Sequence, residues 1–217
     1  MVMEFLNETF KCSVERVDIY DDNLPESGDI GVKSTVRLLI RNSDLHTFDH
    51  AWNQKLSLLL ENLEVTGTCT FLMWNTKNGF YVDPTLFKCK RLLFCSGSAD
   101  WVTKEILLQF EVPQLSFYYC PFPVEDIISF VIHWFHSDNE KLEYLFILIE
   151  DNQISLENFQ TEELNPVPIS DKNRVPSSES FRNIDFSKGL KIVRHDGLQA
   201  TIHVTGRDFL FYVWHNQ

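Results

Sequence analysis

Alanine is nearly absent from this chain, with only Ala51, Ala99 and Ala200 among 217 residues. Alanine is the best intrinsic helix former, so little of the chain reaches for helix on propensity alone. Eighteen phenylalanines instead supply side chains that suit pleated surfaces, and strands are expected to dominate. Glycine is scarce as well, at eight residues, and none falls in a phosphate-binding glycine fingerprint. A Gly-x-Ser-x-Gly elbow is also missing, and Cys95-Ser96-Gly97-Ser98 lacks its flanks. The five cysteines contain no Cys-x-x-Cys pair and are odd in number, which points to buried thiols in a reducing compartment rather than a disulfide frame. The longest apolar stretch, 127–135, is interrupted by Ser129 and His133 and is far shorter than a bilayer span. Met1-Val2-Met3-Glu4 shows neither the basic nor the apolar region of a secretory signal, so a cytoplasmic or nuclear location is expected.

What is present is an apolar fraction of 44% with 23% charged residues, ample for a real core. The net charge of −12 is unevenly spread. Acids and bases number 11 and 6 over residues 1–63, 5 and 5 over 64–120, 10 and 1 over 121–165, and 5 and 7 over 166–217. Phosphate binding by the surface as a whole is disfavoured by this balance. One tight basic cluster, Lys88, Lys90 and Arg91, stands against it, with a looser one at Lys188, Lys191 and Arg194.

Periodicity predicts two amphipathic helices, one over about 44–63 with Asn42-Ser43-Asp44 as its capping segment, the other over 123–136 opened by Pro123 and by Glu125 and Asp126 at its positive end. Strands are expected at 10–20, 32–41, 66–74, 80–82, 86–94, 102–112, 115–120 and 144–149, with a hairpin turn at Asn78-Gly79. The Pro- and Ser-rich stretch 157–183 reads as a flexible loop between a main body, 1–156, and C-terminal strands, 184–217, that complete the same domain. Those strands fall at 190–194, 198–204 and 209–214, with a turn at Asp196-Gly197. The fold class is therefore α+β, mostly antiparallel sheet with two helices. In element order alone, the twofold strand-helix-strands pattern is similar to the repeat unit of sliding-clamp domains.

Few residues suggest chemistry. His46 and His50 have a spacing that could share a metal, but a zinc site needs a third ligand and none is in register. No metal, no organic cofactor and no catalytic set is expected. The helix at 123–136 crowds Phe130, Trp134 and Phe135 among acids including Glu125 and Asp126. An apolar centre with an acidic rim is the anatomy of a contact with a basic protein partner. The reading that follows is a non-enzymatic interaction or scaffolding subunit of an intracellular complex. The alternatives are a clamp-like or barrel module touching nucleic acid through Lys88, Lys90 and Arg91, and, third, a cryptic enzyme.

Overall fold

The computed structural model describes residues 14–20, 23–42, 48–74, 76–77, 79–95, 97–150, 154–169, 176 and 178–215. The chain forms two compact units, residues 1–120 and 121–217.

In the first unit, β1 (Val14–Tyr20), β2 (Ser34–Arg41), β3 (Glu64–Leu72), β4 (Arg91–Cys95) and β5 (Gln114–Cys120) lie side by side in chain order, and each pairs parallel with the strand before it. Parallel neighbours need a crossover of about a dozen residues or more, and the connecting segments 42–63, 73–90 and 96–113 are all long enough. From β3 to β5 the register advances evenly, since Thr68 stands beside Arg91 and Arg91 beside Gln114, 23 residues further each time, whereas Leu38 of β2 stands beside Cys69 of β3, 31 residues on. Such a period is typical of stacked, solenoid-like units in which each repeat buries its face against the next.

The inward positions form continuous rows across the strands. Ile40, Phe71, Phe94 and Phe117 occupy one row, all fully buried. Phe94 stacks on Phe71 and on Phe117, with ring centroids 5.1 Å apart on each side. The crossovers cover this side. Helix α1 (His50–Asn62) contributes Trp52, Leu56 and Leu59, and the loops contribute Phe80, Phe87, Trp101 and Phe110. Gly67 lets β2 and β3 approach at a bulge, where a Cβ would come within 2.5 Å of the Val36 carbonyl oxygen.

Several sequence expectations change here. The sheet is mixed rather than mostly antiparallel, because β1–β5 are parallel. The hairpin expected at Asn78-Gly79 between 66–74 and 80–82 does not form, because no strand follows the turn there. Gly79 does adopt φ +83°, but within a crossover beside the Phe48 carbonyl, and Asn78 lies outside the described residues. The segment expected as a strand at 102–112 contains a short helix, α2 (Lys104–Leu107), and 80–82 is not a strand. Asp49 caps α1, its carboxylate accepting from the Trp52 amide at 2.8 Å. The capping segment expected at 42–44 lies mostly outside the described residues.

The second unit contains α3 (Val124–His136), β6 (Tyr144–Ile149), β7 (Val167–Pro168), β8 (Leu190–Val193), β9 (Gln199–Thr205) and β10 (Asp208–Trp214). Its strands pair antiparallel in the order β6-β10-β9-β8-β7. The tight β8–β9 turn uses Gly197 at φ +90°, in keeping with the Asp-Gly signal. β10 is covered on both faces. Phe211 meets Trp134 of α3 at 4.9 Å and Phe209 stacks on Phe159, while Tyr212 and Trp214 pack on Phe186. Phe159 and Phe181, both from the stretch 157–183, are buried in this core.

Candidate interaction surfaces

Helix α3 places its residues on distinct sides. Phe130 and Trp134 point inward against Phe211, Trp134 only 2% exposed. Ile128, Ile132 and Phe135, spaced by four and three residues, form a half-buried stripe on the same helix. Glu125 is exposed, Asp126 is half-buried, and both sit in the first turn. Of the aromatic residues that the sequence singled out, only Phe135 keeps appreciable surface, and Ile128 and Ile132 join it. The 3.6-residue period carries this distinction, but which part of the helix's broad apolar side faces the sheet is set by β10.

Behind Trp134 lies a buried cation. The Arg194 side chain is fully enclosed, donates to both carboxylate oxygens of Asp196 at 3.1 and 2.6 Å and to the Asn139 carbonyl at 2.9 Å, and sits 5.0 Å from the Trp134 ring centroid. The guanidinium holds the Asp196 carboxyl far below the usual carboxylate range, helped by the Leu198 amide. All three guanidinium nitrogens are engaged with the protein itself, so the group is a structural tie.

His203, in β9 and 6% exposed, is another buried ionisable group of this unit. Burial lowers its pKa, partly offset by the Asp185 carboxylate, with Lys188 acting in the same sense as burial and Asp208 against it. The folded state thus binds fewer protons than the unfolded chain below about pH 6.5. Stability should fall as pH drops through 6.5 toward the folded value, and His203→Gln should flatten the slope of melting temperature between about pH 7 and 5. An unchanged slope in the variant would refute this assignment.

The basic cluster is not a uniform positive surface. Lys88 and Lys90 are exposed on the segment before β4, whereas Arg91 opens β4 and donates to Gln114 at 3.0 Å. Lys88 lines a hollow of about 330 Å³ together with Lys33, but Glu61 and Glu64 line it too. Alternating signs cancel the field that would collect phosphates. Cys69 and Cys89 line the same hollow. Burial raises the Cys69 thiol well above its ordinary value and pushes Cys89 up to about 11. Both therefore stay protonated at neutral pH and are poor nucleophiles.

His50 is exposed at the start of α1, and His46 lies outside the described residues. Among the described residues no group of three or more His, Cys, Asp or Glu is placed to hold a metal, and no helix is long and apolar enough to cross a membrane. Sequence reasoning overlooked the exposed aromatics Tyr20, Trp74 and Tyr119, at 45, 46 and 49% exposure. Each stands at or just past the C-terminal end of a parallel strand.

No solved structure matches this chain. A stretch of 109 residues, 48% of the chain, is 29% identical to an uncharacterized protein of Caenorhabditis elegans, F59B2.8, and covers 25% of that protein's length. The chain thus spans about a quarter of the relative it matches. Residues 85–147, which take in β4, β5, α3 and the start of β6, match the profile of the family described as F-box associated, a family of protein-interaction domains and not a known enzyme family.

Proposed function

We propose that the chain is a non-enzymatic protein-interaction module, a subunit that works beside an F-box protein and holds a partner through helix α3. The match of residues 85–147 to the F-box associated family carries this reading, because α3 lies inside it. The contact comprises Ile128, Ile132 and Phe135 at its centre, with Glu125 and Asp126 at its edge. Carboxylates at the rim select a partner with a basic surface and speed its encounter. Scaffolding within an intracellular complex, in cytoplasm or nucleus, is the setting that the reduced, scattered cysteines favour.

The test separates core from contact. Phe130→Ala and Trp134→Ala should each lower stability by about 3 kcal/mol, since both rings fill the space against Phe211. The combined Ile128→Ser, Ile132→Ser and Phe135→Ser variant should melt close to the parent yet lose capture of partners from a cell extract, identified by mass spectrometry. Capture that survives this triple change would remove α3 from the interface.

A further inference from the structure

The outer face of the parallel sheet, opposite the crossovers, carries three rows of side chains set by strand register. Arg16, Arg37, Thr68 and Arg91 form the first row; Asp18, Leu39, Thr70 and Leu93 the second; Tyr20, Arg41, Leu72 and Cys95 the third. Leu39 and Leu93 of the middle row and Leu72 of the third are half-buried, so the face has apolar surface between its arginines without being sealed. Trp74 continues the outward alternation just past Leu72 and is 46% exposed.

Charge on this face is opposite to that of the chain. The face carries four guanidiniums, Arg16 bonded to Asp18 and Arg37 to Glu15, whereas the whole chain is −12. The Arg41 guanidinium lies 5.0 Å from the Tyr20 ring centroid, and its buried Nε has no hydrogen-bond acceptor among the described residues. An acidic ligand is repelled by most of this molecule and attracted here, which orients it on approach.

We propose that this face docks an acidic amphipathic helix of a partner protein, laid across the strands. The proposal rests on the protein-interaction reading and adds a second contact of opposite charge to that at α3. Arg37 and Arg41 are four residues apart on one strand, about 13 Å at the strand rise. A helix of about 10–12 Å diameter fits between Arg37 and Arg41. Leu39 and Leu93 are two strands apart, about 10 Å, which matches the rise of about 10.5 Å between helix positions seven residues apart. An apolar stripe of the visiting helix would lie on Leu39, Thr70 and Leu93, and its flanking carboxylates would reach Arg37 and Arg91 on one side and Arg41 on the other.

The test uses the full chain and three fluorescent probes followed by anisotropy. These are a synthetic helix of about 21 residues with leucine at heptad spacing and glutamate on both flanks, the same helix with lysine for glutamate, and an oligo-dT strand. The glutamate helix should bind, and the lysine helix should not. The Arg37→Glu, Arg41→Glu double variant should weaken binding at least about tenfold, and the milder Arg37→Gln, Arg41→Gln pair should weaken it measurably with thermal melting preserved. Equal binding of the two helices, insensitivity to both arginine pairs, or arginine-dependent binding of oligo-dT in place of the glutamate helix would each overturn the proposal. The α3 triple variant should leave probe binding unchanged. Loss of extract capture through α3 can therefore fail as an expectation while this face stands, and the reverse.

Discussion

Phe94→Ala is expected to be the most damaging single substitution in the first unit, costing about 3–5 kcal/mol and lowering the melting temperature by on the order of 10 °C. The ring is fully buried and meets five others: it stacks on Phe71 and Phe117, and its centroid lies 6.2 Å from Trp101, 5.9 Å from Phe110 and 6.4 Å from Phe87. Strand backbones are held by their ladders and cannot close over the void, so most of the lost contact stays lost. Phe94→Leu keeps much of the volume and should cost far less. A calorimetric scan of both variants decides the matter. If the alanine variant melts within a degree or two of the parent, the aromatic row is not what joins the strands.

Arg194→Met should destabilise the second unit by on the order of 3 kcal/mol, although methionine fills similar space and removes a charge. The change strips a part-buried carbonyl, that of Asn139, of its donor and ends the stacking over Trp134. Arg194→Lys should not rescue it, because a single ammonium cannot serve both Asp196 oxygens and the carbonyl in one plane. The pH dependence has a definite sign. Asp196 has a depressed folded pKa, so its contribution is fully present above the unfolded value near 4 and is lost as pH falls through the folded one. The gap in melting temperature between the parent and Asp196→Asn should therefore narrow between about pH 4 and 2. Melting curves over that range check it, and a gap constant with pH would mean that the ion pair contributes nothing.

The contact proposed at α3 and the core can be separated by mutation, because they use different sides of one helix. α3 spends Phe130 and Trp134 on β10 and keeps Ile128, Ile132 and Phe135 half-buried. The outer sheet face divides its work similarly: every second residue of β2–β4 builds the aromatic and aliphatic core, and the alternate residues carry arginine and leucine. With one apolar–acidic and one apolar–basic surface, the chain is suited to contact two partners of opposite charge, or two parts of one.

The sequence by itself determined the local elements wherever a strong period or a turn residue acted alone. α3 over 124–136, the three strands of the C-terminal stretch and the Asp196-Gly197 turn all follow from side-chain spacing and from glycine's access to positive φ. It also determined the chemistry that is missing from its motifs, since loops without glycine fingerprints cannot cradle phosphates in those ways. Only the tertiary structure decided strand direction. Val102–Val112 alternates well enough to pass for a strand, and Gly79 occupies a turn; yet long crossovers return β3, β4 and β5 to the same direction, because each Phe row can be completed only by a neighbour in register. Which aromatic side chains of α3 are spent on the core was likewise decided by β10, since eight of its thirteen residues are apolar and its polar arc leaves Phe130, Trp134 and Phe135 all on the apolar side. The basic face was hidden for the same reason. Arg16, Arg37 and Arg91 are far apart in the chain, and they meet only when parallel register puts them in one row.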